Sequence, residues 1–324
     1  MRTRISFDEA AAALRTRAQV LDSGLSERML ESAVHDGTLV RVHRGHYTDG
    51  AIWSSLWEEG RHLLRAVAFA RSSPDPVFTH ASAAALWGLP LYGVRDDFVH
   101  TLIAGTRHSR RAPGIMRHAL AVDEHDVVTR HGLRCTSLVR TTFDLSRTLP
   151  REGAISAGDA SLGIAAVRRH VQDAEQAAIW RDELLALSAS GARGARQARW
   201  VAEFADGRAE LPGESVSRYR MSELGFRDVA LQIPVRGSDG REYFLDFGFR
   251  GARKFGEFDG DAKYLDPELR NAPTAAHVVL AEKHREDEVR GATGWGFARW
   301  GHTHIGTANA LGSRLAAFGI HPPG

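Results

Sequence analysis

The sequence predicts a multidomain chain that mixes α+β and α/β organisation. Three observations predict it. The chain has 324 residues, enough for two or three domains with cores of their own. Helical periodicity and short β-branched runs alternate along it, punctuated by Gly and Pro. The last third then carries an alternating aromatic strand interrupted by an aspartate, with a second acidic strand after it.

Composition narrows the classes. Hydrophobic residues at 43% and charged residues at 25% belong to a globular chain rather than a disordered one. No apolar run reaches the length of a membrane span, so no membrane partner is expected. The start, Met1 to Glu9, lacks the apolar core of a secretory leader. A single cysteine, Cys135, excludes an internal disulfide framework and a cysteine zinc site. A cytoplasmic protein is the expectation. The formal net charge of +2 does not by itself call for nucleic acid, so local charge decides. All three lysines, Lys254, Lys263 and Lys283, fall in the last third. A GC-rich coding bias accounts for their scarcity but not for where they sit. Arginine does not replace lysine where a compact charge with an adjustable pKa is needed.

Residues 1–72 form the first expected domain. Asp8 to Val20 reads as one alanine-rich helix broken by Gly24. Ser26 caps a second helix reaching about His35, with Glu27 in its first turn. Thr38 to Tyr47 alternates, is rich in β-branched residues and carries Gly45 near its turn, a β-hairpin pattern. Helix, turn, helix and two-stranded wing is the order of a winged helix-turn-helix. On that reading Arg28 on the second helix and Arg41, His43, Arg44 and His46 on the wing meet DNA. A small helix–hairpin unit with a solvated basic edge has the same pattern.

Residues 73–187 form an α/β middle domain. Val77 to Pro90 reads as a strand end, a helix and a Gly/Pro stop. Phe98 to Ile103, Ile115 to His118 and Leu133 to Thr136 read as strands, and Ser137 to Ser146 as a helix. Arg107, His108, Arg110 and Arg111 make a basic loop. Residues 152–187 are mainly helical. An arginine-rich linker helix, 188–204, repeats arginines at 193, 196 and 199 along roughly one face.

Residues 205–324 form the last domain. Along the strand from Arg241 to Phe249, Tyr243, Leu245, Phe247 and Phe249 point one way and Asp246 the other. Such an aspartate is costly to bury unless it is paired or metal-bound. A second strand, Lys254 to Phe258, carries Glu257, with Asp259 two residues on. Asp246 and Glu257 meet if the two strands form a hairpin. Glu214 adds a fourth carboxylate, although a helix-start charge paired with Arg218 at i,i+4 explains it as well. Glu286 and Arg290 are a helix-surface pair, and Trp295 and Trp300 read as core.

Two resemblances follow. The stretch Leu39 to Tyr47, with His80-x-Ser82-Ala83-Ala84-x-Leu86-Trp87-Gly88-Leu89-Pro90, resembles AbiEi-type antitoxins over about residues 20–150. This implies a DNA-binding repressor with a cognate toxin protein as partner. The last third resembles Vsr-like endonucleases of the PD-(D/E)XK nuclease superfamily. That resemblance rests on Pro212-Gly213-Glu214-Ser215, Tyr243 to Phe247, Gly256-Glu257-Phe258-Asp259-Gly260, Lys263-Tyr264, Glu282 to Asp287 and Gly294 to Trp300. It implies hydrolysis of double-stranded DNA with Mg2+ or Mn2+.

The carboxylates suit that chemistry, because magnesium prefers oxygen ligands and one or two carboxylates with substrate phosphate suffice. Asp246, Glu257 and Asp259 are the expected metal ligands. The superfamily pattern places a lysine at 259, where this chain has aspartate. Lys263 and Lys283 are the candidates to replace it, with Lys254 peripheral. Arg285 and Asp287 fix the site or hold phosphate. His43-x-x-His46 and His302-x-His304 lack partners for zinc, and no phosphate-binding or dinucleotide glycine motif occurs. An endonuclease-like protein is the first expectation. A non-catalytic, antitoxin-like repressor with a degenerate nuclease fold is the second, and a toxin-neutralising protein the third.

Overall fold

The computed structural model describes residues 3–94, 97–103, 108–189, 191–227, 229–260 and 275–322. The chain is mixed α/β and divides into two compact units. One comprises residues 1–157 and 183–199, the other 158–182 and 200–324.

The first unit opens with α1 (Phe7–Ala13), capped reciprocally by Ser6 and Glu9. The single helix expected through Val20 is in fact two. Leu14 is extended, Arg15–Thr16 form β1, and Thr16 with Gln19 caps a new helix, α2 (Arg17–Asp22). Pairing of β1 with Tyr47 and His46 overrides the alanine-rich helix propensity. Then come α3 (Glu27–His35), capped by Ser26 as its sequence predicts, and the hairpin β2 (Leu39–His43) and β3 (His46–Asp49). Gly45 turns the hairpin at a φ of +73°. The three strands lie in the order β1-β3-β2. Val20, Leu30, Leu39 and Tyr47 form the core that joins them to the helices.

Next come α4 (Gly50–Ser55), α5 (Glu58–Ala70), β4 (Val77–Phe78) and α6 (His80–Trp87), which stops at left-handed Gly88. They are followed by β5 (Val99–Leu102), β6 (Arg110–Ala112), β7 (Ile115–His118), β8 (Val127–Arg130), β9 (Leu133–Thr136) and α7 (Leu138–Thr148). The sheet order is β6-β7-β5-β4-β9-β8. Two sequence expectations change here. Arg110 and Arg111, expected in a loop, lie in β6 and pair with Arg117 and Met116. The strand β8 was not foreseen. Both are sheet edges, β6 mostly exposed and β8 without a fully buried residue, so neither shows an apolar alternation to read. Residues 1–72 and 73–187 also share one core, in which Ala10, Leu56, Leu64 and Phe69 pack with Phe78, Leu86, Val99 and Cys135.

The division between the units passes through three helices, α8 (Arg151–Ala166), α9 (Ala174–Ser188) and α10 (Ala195–Phe204), with the short paired strands β10 (Val167–Arg168) and β11 (Val171–Gln172) between the first two. In the stretch expected as a linker, Gln197 Nε2 donates to the carbonyls of Ser146 (2.8 Å) and Leu149 (2.7 Å), all three residues lying in the first unit.

The second unit contains α11 (Pro212–Glu223), β12 (Ala230–Arg236), β13 (Glu242–Phe249), β14 (Lys254–Phe258), α12 (Ala275–Thr293), β15 (Gly296–Trp300) and α13 (Ala308–Ala316). Its sheet runs β12-β13-β14-β15, antiparallel across the first two junctions and parallel across the last. Leu245, Phe247, Ala298 and Trp300 are buried on it, and Trp300 Nε1 donates to Ser217 Oγ on α11 at 2.8 Å. No helix among the described residues is long and apolar enough to cross a membrane.

Candidate active site

The site starts where α11 meets β14. A side chain at Gly213 would place its Cβ 2.0 Å from the Phe258 ring, so glycine permits the approach. The next residue, Glu214, is carried inward and is 2% exposed. The backbone N–H of Glu210 donates to its Oε2 at 3.0 Å. The expected pairing of Glu214 with Arg218 does not form. Arg218 instead binds Asp159 at 2.8 and 3.0 Å and the carbonyl of Phe204 at 2.7 Å. Glu214 is thus a buried site carboxyl rather than a helix-start ion pair.

The hairpin of β13 and β14 brings Asp246 to the same place. Leu245 and Phe247 turn into the core, and Asp246 faces the other way. The backbone N–H of Phe258 donates to Asp246 Oδ2 at 2.8 Å. Burial raises the Asp246 carboxyl to about 7, with the Phe258 hydrogen bond opposing and Glu257 adding to the rise. Glu214 is pushed well above the usual range, chiefly by burial and next by the charge of Asp246. Two adjacent carboxyls with this electrostatics favour either a shared proton or a cation.

Glu257 on β14 is 3% exposed and is held differently. Arg285 Nη1 donates to its Oε1 at 2.7 Å, and Arg299 Nη2 lies 3.0 Å from its Oε2. Arg285 also donates to the Phe244 carbonyl at 2.7 Å. Arg299 reaches Glu282 at 2.6 Å, Glu286 at 3.3 Å and Asp259 at 3.6 Å. Burial alone would lower the Arg299 pKa, but Glu257, Glu282 and Asp259 outweigh it and hold it above the usual value. Asp259 itself is half-exposed, with its N–H on the Trp300 carbonyl at 2.7 Å.

The structure brings together Glu214, Asp246 and Glu257, with Asp259 at the margin beside Arg299. Lys283 is exposed, and α12 turns Glu282, Arg285 and Glu286 toward the sheet instead. Lys254 lies over Gly296 on the neighbouring strand. Lys263 is outside the described residues. Among the described residues, the cations that touch Glu257 and Asp259 are arginines. Arg285 was singled out from the sequence, whereas Arg299 was not. Only the parallel pairing of Glu257 with Arg299 reveals it. The Glu286–Arg290 pair forms as expected.

Oxygen-only donors fit a hard divalent ion, and Glu214 with Asp246 is the pair that fits best. Glu257 fits less well, since both of its oxygens already face guanidinium groups. Asp246, Glu257 and Asp259 were the expected ligands, so Glu214 gains importance and Asp259 loses it.

In the first unit, Arg28, Arg41 and Arg44 are exposed. His43 is half-buried with its ring edge on Phe69, and burial lowers its pKa. His46 is 8% exposed, with Nδ1 at 3.3 Å from both the Arg44 carbonyl and Ser72 Oγ. The strand pairing that makes the hairpin turns His46 inward and leaves His43 half-buried.

Among the described residues, two groups of three ligand-type side chains bring one ligand atom each within 4.8 Å of the others, both in that unit: Asp123–His125–Asp126 and His80–His100–His118. In the former, Asp126 is already neutralised by Arg140 at 3.1 Å. The three histidines come from α6, β5 and β7, so no short spacing announces them in the sequence.

No family model matches the chain. It is similar to two uncharacterised proteins of Mycobacterium tuberculosis, Rv2248 of strain ATCC 25618 / H37Rv and MT2308 of strain CDC 1551 / Oshkosh. Each is 28% identical over 249 residues, covering 75% of this chain and 82% of the relative. The matched length exceeds either compact unit, so the similarity takes in parts of both.

Proposed function

We propose that the chain is a DNA-binding protein whose second unit is a Vsr-like, PD-(D/E)XK-type, metal-dependent endonuclease domain. The carrying observation is that buried Glu214 and partly buried Asp246 both hold raised carboxyl pKa values beside buried Glu257, with the charge of Asp246 adding to the rise of Glu214. Glu214 and Asp246 would hold Mg2+ or Mn2+, and the Phe258 N–H keeps Asp246 oriented toward it. A bound divalent ion supplies an activated water and charge stabilisation for phosphodiester hydrolysis. Arg285 and Arg299 fix Glu257 and add positive charge where a phosphate approaches. In the first unit, the α2–α3 pair and the β2–β3 hairpin support a winged helix-turn-helix reading, with Arg28, Arg41 and Arg44 as the groups for DNA phosphates.

A second reading has an observation of its own. Aspartate stands at 259, and Glu257 is bridged by two arginines. This favours an antitoxin-like repressor whose nuclease fold no longer cleaves, with a toxin protein as partner. The test is plasmid DNA incubated with purified protein and Mg2+ or Mn2+, beside Glu214→Gln and Asp246→Ala. Cleavage by the wild type, lost in both variants, supports the enzyme. Salt-sensitive binding without cleavage of modified or unmodified DNA overturns it in favour of the repressor.

A further inference from the structure

The first unit buries three histidines on one another. His100 on β5 and His118 on β7 project from the same sheet face, because the parallel register sets His118 opposite Leu102. His100 Nδ1 and His118 Nε2 are 2.8 Å apart. The His80 ring, at the start of α6, stacks on His118 with centroids 3.9 Å apart. One ring nitrogen from each histidine lies within 4.8 Å of the other two. His80 and His100 are buried, while His118 is partly exposed, so the cluster reaches solvent.

We propose that His80, His100 and His118 form a binding site for a divalent transition-metal ion of the zinc type, independent of the carboxylate site and of any nuclease activity. Zinc binds imidazole nitrogen at about 2.0–2.1 Å, and tetrahedral ligands then stand roughly 3.3 Å apart. The observed His100–His118 separation is shorter, so a modest opening of the pair admits an ion.

The surroundings are organised to orient the ligands. His80 Nδ1 lies 3.2 Å from Thr79 Oγ1, which donates to buried Asp144 at 3.4 Å. This hydroxyl-linked carboxylate engages Nδ1 and leaves Nε2 for an ion, an outer-shell arrangement that raises ligand basicity. His100 is fixed from the backbone, its N–H donating to Ser82 Oγ at 2.9 Å and its carbonyl accepting from the Thr79 N–H at 3.1 Å. His80 also takes a left-handed φ of +48°, an uncommon conformation for a side-chain-bearing residue. Backbone strain of this kind persists where the surrounding structure enforces a side-chain position. Imidazole donors select zinc, cobalt or copper over magnesium.

The test uses the full chain, stripped with chelator and titrated with Co2+ and then Zn2+. One equivalent of Co2+ is expected to give a visible ligand-field spectrum that Zn2+ abolishes. His118→Gln should weaken binding at least about tenfold, while Asp246→Asn should leave it unchanged. X-ray absorption on the zinc-loaded wild type needs no variant and should show imidazole scattering from three rings. A cobalt spectrum that survives His118→Gln, an oxygen-only first shell, or no stoichiometric binding overturns the proposal.

Discussion

Asp246 titrates in a range where the cell's pH matters. Burial lifts its carboxyl from 3.8 to about 7. The folded state thus holds a proton that the unfolded chain releases at lower pH, so the contribution of Asp246 to metal-free stability is fullest below about 3.8 and is lost as pH rises through about 7. Thermal melts in EDTA should show that decline, and Asp246→Asn should flatten it. A wild-type profile already flat across this window would remove the basis for a strained carboxyl. Mg2+ should restore stability at pH 8 in the wild type but not in Asp246→Asn, if the ion binds as proposed. Arg299 acts at the same scale. Removing one partner from a buried ion pair costs about 3–5 kcal/mol. Arg285 remains on Glu257 and Arg299 is 24% exposed, so Arg299→Ala should cost less, ~2 kcal/mol. Urea unfolding measures this, and a loss near zero would mean that Arg285 alone neutralises Glu257.

The strands and helices of the second unit meet through glycines. Gly213 lets α11 lie on Phe258, and Gly256 on β14 sits beneath Trp300, whose ring would be 2.5 Å from an added Cβ. Neither position needs a left-handed backbone, so the constraint is space alone. Gly213→Ala and Gly256→Ala should each destabilise by about 1–3 kcal/mol through overpacking. Gly251→Ala, which meets nothing within 4 Å, is the control and should be close to neutral. Shifted urea midpoints with unchanged slopes would bear this out. A Gly213→Ala protein as stable as the wild type would show that α11 moves freely away from β14. Much at this scale was legible. Ser26 marked α3, Gly88 ended α6, and the alternation from Tyr243 to Phe249 gave β13 its two faces. The two-residue β1 was not legible, since it exists only through pairing with the distant β3, and neither was the edge strand β6, whose arginines leave no apolar alternation to read.

Over the whole chain, the surface reading reduces to three arginines and can be tested by salt. A protein that contacts phosphates loses affinity linearly in log[salt], with a slope set by the number of contacts. Arg28→Ala, Arg41→Ala and Arg44→Ala should each reduce that slope by about 1 without changing the melting temperature. His46→Ala should do the reverse, because His46 is buried against Ser72. Fluorescence anisotropy over a salt series on one duplex separates the two. Slopes unchanged in all three arginine variants would exclude this face from DNA binding.

The sequence by itself determined the mixed α/β class, the Ser26 cap and the Gly88 stop, the β13–β14 hairpin and the acidic character of the site at Asp246 and Glu257. These follow from local periodicity, capping chemistry and the cost of burying a charge, all of which act over a few residues. The tertiary structure alone decided that Glu214 is a buried neighbour of Asp246, that Arg299 reaches Glu257 alongside Arg285, and that three histidines converge. Those are meetings between residues far apart in the chain. Only strand register and helix docking specify them, and neither leaves a short-range mark in the sequence.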